Sequence, residues 1–215
     1  SLNILRNLKK LEILYISISK DIEIIGTLTN LKFLSLREIK IKKLDFIESL
    51  QELEEVWISL GSYDDFNVIC KLSKLKKLSL HQVRGIDDDT FTEIISKCKN
   101  LINLELQNLK NLTSLSFIRE LTNLKYLRLD CVKNIETYSP VINLLNLETF
   151  STTESRALDK KLFPLHKLKN VFLGDSYSKS EIEEFLHNFK GENLWIWGKE
   201  YRGNKNLKNP FTLNL

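Results

Sequence analysis

The chain has 215 residues, 42% of them hydrophobic and 28% charged, which is the composition of a folded protein and excludes a disordered one. Its 32 basic residues stand among 28 acidic ones for a net charge of +4, a mixed solvated surface that disfavours a nucleic-acid footprint. No apolar run approaches the ~18 residues that a membrane span needs.

Taken in chain order, one pattern keeps returning. It reads "LEILYI" at 11–16, "LKFLSL" at 31–36, "LEEVWI" at 53–58, "LKKLSL" at 75–80 and "LINLEL" at 101–106. It continues with "LKYLRL" at 124–129, "LETFST" at 147–152, "LKNVFL" at 168–173 and, with its first leucine replaced, "GENLWI" at 191–196. Each is apolar-x-x-apolar-x-apolar, with Thr152 the one lapse. The fourth position falls at 14, 34, 56, 78, 104, 127, 150, 171 and 194, so the steps are 20, 22, 22, 26, 23, 23, 21 and 23 residues. Three residues ahead of the first eight copies stands Leu8, Leu28, Leu50, Leu72, Cys98, Leu121, Leu144 or Leu165. Three further upstream stand Leu5, Ile25, Ile47, Ile69, Ile95, Ile118, Val141 and Leu162, with Phe185 serving the ninth copy. The copies alternate as strands do, whereas spacing by three suits a helix or a 3₁₀ turn.

Two segments predict true helices. The 26-residue unit holds "IDDDTFTEIISKCKNL" at 86–101, with Thr90 and Glu93 read as its capping box and its aspartates as helix-start charge. "SKSEIEEFLHNF" at 178–189 predicts the second, with Ser180 and Glu183 as the capping pair. Residues 197–215 are expected to form a last repeat or a cap, with Leu207, Leu213 and Leu215 in a shortened tenth unit. No comparable cap precedes the first copy, and a chain with 0 methionines has lost its initiator, so a fragment of a longer protein is expected.

The pattern resembles the leucine-rich repeat family over nearly the whole chain. The resemblance implies an α/β leucine-rich repeat solenoid in a single domain, 1–215: a curved right-handed horseshoe. About nine to ten short strands would form its concave parallel sheet, with an irregular, 3₁₀ or short-helical convex side. One departure stands out. The family carries Asn or Cys at the ninth position, where this chain has Ser19, Ile39, Gly61, Val83, Leu109, Val132, Ser155 and Ser176. The turns must therefore satisfy their backbone groups in another way, and irregular curvature is expected.

In this register positions four and six face the core, and three, five and seven face outward on the concave sheet. The outward rows carry an early aromatic group of Tyr15, Phe33 and Trp57, and a late one of Tyr126, Phe172, Trp195 and Trp197. Between and around them lie Arg37, His81, Glu105, Arg128 and Asp130. Phe172 is expected to stack on Trp195, and Glu105 to neighbour Arg128 across strands. Aromatics with arginine on a polar face is the composition of interface hot spots. The blander readings are a tail that covers Trp195 and Trp197, single exposed aromatics at Tyr15 and Trp57, and a weak surface ion pair at Glu105.

Chemistry finds little footing. Of the three histidines, His81, His166 and His187, no two share a zinc-binding spacing. Cys70, Cys98 and Cys131 are an odd number at wide spacing, which favours a reducing, intracellular compartment over a disulfide framework. A surface or secreted location stays open, since an upstream segment could carry a signal. The expectation is a non-enzymatic module, with no cofactor and no metal, that binds a protein partner across the concave face. The alternatives are a sensing or regulatory region of a larger protein, or a binder of carbohydrate, peptide or an anionic polymer. Lysines at position two alternate with glutamates, which makes a poor polyanion site. Oligomerisation through the solenoid ends is a further alternative.

Overall fold

Apolar residues three apart become consecutive i→i+3 turns. The Leu28 amide donates to Ile25 O and the Leu31 amide to Leu28 O, and the same pair of bonds recurs at Ile47–Leu50–Leu53 and Ile118–Leu121–Leu124. Each turn carries its spaced aliphatics inward, so Ile25, Leu28, Leu31, Ile47, Leu50 and Leu53 are all fully buried. The computed structural model describes residues 2–197 and 199–202.

Strands follow these turns as β1 (Ile13–Ile16), β2 (Phe33–Arg37), β3 (Glu55–Ser59), β4 (Lys77–His81) and β5 (Asn103–Gln107). They continue as β6 (Tyr126–Asp130), β7 (Thr149–Thr153), β8 (Asn170–Leu173), β9 (Asn193–Ile196) and β10 (Lys199–Arg202). All lie in one sheet in sequence order. β1 to β9 are parallel, and position four always pairs with position four, as in Leu78↔Leu104↔Leu127. The strands begin two residues later than the six-residue motifs. The first motif residue still closes the 3₁₀ turn, and the carbonyl of the second accepts from two amides of the next repeat, as Glu12 O does from Lys32 and Phe33.

Positions four and six form the core, from Leu34 and Leu36 to Leu127 and Leu129. Thr152, the lapse in the pattern, is fully buried and donates from Oγ1 to Ser155 O, so its hydroxyl is satisfied inside the turn.

The missing asparagine at position nine is replaced in two places. Position eight adopts a left-handed backbone at Glu38, Leu60, Gln82, Asn108, Cys131 and Glu154, with φ between 48° and 58°. From there the Glu38, Leu60, Gln82, Asn108 and Cys131 amides donate to the position-seven carbonyl of the next strand, at 2.8–3.0 Å, which extends the parallel ladder by one step. Non-glycine residues tolerate this conformation only at a cost of roughly 1 kcal/mol, so the ladder must hold them there. The second device lies at the strand entrance. Asn30, Asn100, Asn123 and Asn146, each one residue before its motif, donate from Nδ2 to a carbonyl of the preceding repeat at 2.6–3.0 Å. Where position nine is serine, it can still serve: Ser155 Oγ accepts from the Val132 amide at 2.8 Å.

Both predicted helices form, but their caps differ from the expectation. α1 (Asp88–Glu93) is capped by Asp87, whose side chain accepts from the Thr90 amide, and a 3₁₀ turn at Ile95–Lys97 follows it. Thr90 is the third residue of that helix and not its cap. Asp88 does more than supply charge, because its carboxylate accepts from the Thr113 and Ser114 amides of the next repeat at 2.9 and 3.0 Å. α2 (Lys179–Asn188) starts two residues earlier than the Ser180–Glu183 pairing implies, with Ser178 and Glu181 forming a complete capping box.

At the far end β10 runs antiparallel to β9, turning back after Trp197, which has φ 44°. The hairpin pairs the outer edge of β9 with backbone of its own. Leu207, Leu213 and Leu215 lie outside the described residues.

Gly85 is the glycine whose freedom is needed. Its φ is +82°, and a Cβ there would stand 2.2 Å from the Tyr63 carbonyl oxygen. Gly85→Ala is expected to cost more than about 1 kcal/mol. A thermal melt should show the midpoint falling by roughly 2 °C or more, and an unchanged midpoint would mean that this turn gives way freely.

Candidate binding face

The outward rows three, five and seven form one surface because the register is unbroken from β1 to β8. Its residues fall into three zones.

The first is aromatic. Tyr15 and Phe33 have ring centroids 4.8 Å apart, and Phe33 meets Trp57 edge-on at 5.2 Å. The chain of rings zigzags between row five and row three because the row-five residue between Tyr15 and Trp57 is the small Ser35. Phe33 spans that gap by meeting both rings, and Ser35 itself is nearly buried. Tyr15 is 65% exposed and Trp57 39%, with the uncovered Ile13 beside them. Trp57 Nε1 donates to Glu55 Oε1 at 2.8 Å, which fixes the indole's orientation. Arg37, at the edge of this zone, is exposed and lies 3.5 Å from Glu38.

The second zone is polar and central. Glu105 and Arg128 are register partners across β5 and β6, but the ion pair forms elsewhere. Arg128 reaches two residues along its own strand to Asp130, at 2.6 Å from both Nε and Nη2. The Asp130 carboxylate also accepts from the Thr153 amide at 3.1 Å and from the Thr153 hydroxyl. It is therefore only 3% exposed, which corrects its place among the presented residues. Among the described residues no side chain stands within hydrogen-bond or ion-pair distance of the Glu105 carboxylate. Burial raises its pKa above the ordinary 4.5, Arg128 and Lys77 oppose the rise, and Asp130 and Glu55 add to it. Burial, with help from Arg37, lowers the pKa of His81 on β4 against the pull of Asp130, so the imidazole is neutral at pH 7. Tyr126 is half-buried, and burial first, then Glu105, push its phenol up to about 12.

The third zone is more closed than the pattern suggests. Phe172 stacks on Trp195 at 6.4 Å, as the register requires, but it is only 2% exposed. Trp195 is half-buried, and its Nε1 is shielded without a partner among the described residues. Trp197 is exposed, but its left-handed backbone takes it out of the strand and into the turn to β10. Whether residues 203–215 cover these rings lies outside the described residues. Row three here is an amide relay that the sequence reading missed. Asn193 Nδ2 donates to Asn170 Oδ1 at 2.6 Å, and Asn170 Nδ2 to Thr149 Oγ1 at 2.8 Å. The recurrence of asparagine at position three of β8 and β9 was the signal for it.

The alternating charges at position two consume one another, with Lys32–Glu12 and Lys76–Glu54 both at 2.8 Å. Each is an exposed pair worth about 0–1 kcal/mol. Among the described residues no group of three or more His, Cys, Asp or Glu is placed to hold a metal ion, and no helix is long and apolar enough to cross a membrane. Burial pushes the Cys98 thiol up to about 12, so it is a core residue and not a nucleophile at neutral pH.

Glu105 gives this face a pH signature. Because its pKa is raised in the fold, the folded state holds that proton more tightly than the unfolded chain does. The resulting stabilisation is fully present below the ordinary pKa of 4.5 and is lost as pH rises through the folded value. Glu105→Gln is therefore expected to raise the melting temperature at pH 7 relative to the native chain, and the gain should shrink to nothing by pH 4. A gain that does not vary with pH would show that the carboxylate is solvated.

Repeat, register and one-layer sheet together define a leucine-rich repeat protein. The solved structures it resembles agree. Internalin C2 from Listeria monocytogenes matches with a TM-score of 0.60 and 25% identity over 71% of this chain and 66% of that one. An internalin (inlF) from the same organism matches with a TM-score of 0.64 and 20% identity over 91% of this chain and 59% of that one. The chain thus spans about two thirds or less of each. No family model and no curated protein matches the sequence. The chain is a leucine-rich repeat protein whose fold is that of the internalins.

Proposed function

We propose that the chain is a non-enzymatic interaction module that binds a protein partner across the outward face of its parallel sheet. The Tyr15–Phe33–Trp57 ladder carries this reading: three rings in contact on successive strands, with Phe33 half-buried between the exposed Tyr15 and Trp57. Aromatic side chains of low mobility, ringed by polar groups, supply most of the binding energy in protein interfaces. The likeness to internalins supports the solenoid architecture on which such a face is built.

The test is photo-crosslinking from a benzophenone amino acid placed at Asn103, in outward row three of β5, or at Arg119 on the 3₁₀-turn side. A protein captured from Asn103 and lost when Phe33 is changed to alanine is the expected result. Capture from Arg119 alone would overturn the reading.

A further inference from the structure

We propose that the notch in the middle of this face, walled by Trp57 and Glu105 and floored by Ser79, receives an arginine side chain of the protein partner. The inference deepens the reading above and rests on it.

The notch follows from the register. Trp57, Ser79 and Glu105 are row-five neighbours on β3, β4 and β5. A serine between two large side chains leaves a gap two strand spacings wide, about 9.6 Å. Ser59, His81 and Gln107 line it from row seven, and the cavity measures about 200 Å³. At about 30 Å³ per water that is room for roughly seven waters, or one long side chain.

Its charge is equally specific. The lining holds two carboxylates, Glu105 and Asp130, and one guanidinium, Arg128. Arg128 and Asp130 are paired at 2.6 Å, while Lys77 beside the notch is paired with Glu55 at 3.2 Å and Arg37 with Glu38 at 3.5 Å. With His81 neutral, the lining among the described residues carries one net negative charge, and Glu105 is the carboxylate there with no side chain in hydrogen-bond or ion-pair distance. A carboxylate withdrawn from water with no partner is costly, and an arriving cation would remove that cost. The Trp57 wall selects among cations. Its indole is held in place by Glu55, and a planar guanidinium can stack on it while forking onto a carboxylate; an ammonium has no such plane. The Ser79 hydroxyl and the Gln107 carbonyl offer acceptors for the remaining guanidinium N–H groups.

The experiment titrates the 215-residue chain with N-acetyl-arginine amide, N-acetyl-lysine amide and the uncharged N-acetyl-norleucine amide. NMR follows the Trp57 indole N–H and the Glu105 side-chain carboxyl carbon. The arginine probe is expected to move both signals, the lysine probe to bind more weakly, and the norleucine probe to move neither. Glu105→Gln should weaken arginine binding at least tenfold. Ser79→Leu, which fills the notch but keeps the carboxylate, should abolish it. Equal response to norleucine, unchanged affinity in Glu105→Gln, or no movement of either signal would overturn the proposal. The probes report on the notch alone: a partner crosslinked from Asn103 beside a silent notch rejects the arginine and leaves the interface standing.

Discussion

Asp130→Ala is expected to destabilise the protein by about 3–5 kcal/mol, the cost of stranding one member of a buried ion pair. Asp130 terminates β6 in an outward row, yet its side chain is 5% exposed and that of Arg128 17%. The carboxylate serves Arg128, the Thr153 amide and the Thr153 hydroxyl together. Removing it leaves a guanidinium and two donors short of an acceptor in a place that water reaches poorly. Asp130→Asn should cost less, since the amide oxygen can still accept from Thr153. The double variant Arg128→Met, Asp130→Leu should recover most of the loss, because neither member of the pair is then left without the other. In a solenoid stability is local, so the readout is hydrogen exchange at the β6 and β7 amides alongside urea unfolding. A loss under about 1 kcal/mol, with unaltered exchange at Thr153, would place the pair in solvent.

The repeat made the architecture legible, because leucine at fixed offsets can be buried in only one way and nine copies reinforce one another. Strand register, the inward rows and the Phe172–Trp195 stack all follow from that offset. Long-range competition between polar groups was not legible. Position spacing placed Glu105 opposite Arg128, which is correct, but it could not show that Arg128 would turn to Asp130, whose alternative partner Thr153 lies 23 residues away. Nor could alternation show that an outward phenylalanine would be buried: Phe172 stacks on Trp195 and is only 2% exposed. The helix caps were missed by two or three residues because several Ser, Thr and Asp residues competed for each cap. Only the hydrogen bond selects one, Asp87 in one helix and Ser178 in the other. The asparagines at 30, 100, 123 and 146 were visible as a recurring Asn-Leu pair. They sit one residue before the motif, outside the ninth position where the family carries its asparagine.

Trp57→Ala is expected to weaken partner binding by about 2 kcal/mol or more, roughly thirtyfold, while leaving the fold intact. The indole is well suited to act as an anchor. Phe33 supports it from one side and Glu55 holds its Nε1, so little freedom is lost on binding. Trp57→Phe keeps the ring but lacks the bond to Glu55, and an intermediate loss is expected. The contrast that gives the measurement its meaning is Phe172→Ala. At 2% exposure Phe172 belongs to the packing, so its truncation should cost about 3–5 kcal/mol of stability. Affinity of the folded fraction should then stay within about threefold. Calorimetric titration of each variant with the protein crosslinked from Asn103, paired with its unfolding curve, separates the two cases. The reverse result, native affinity in Trp57→Ala and lost affinity in a still-folded Phe172→Ala, would move the interface to the late strands. The aromatic ladder at β1–β3 would then have no role in binding.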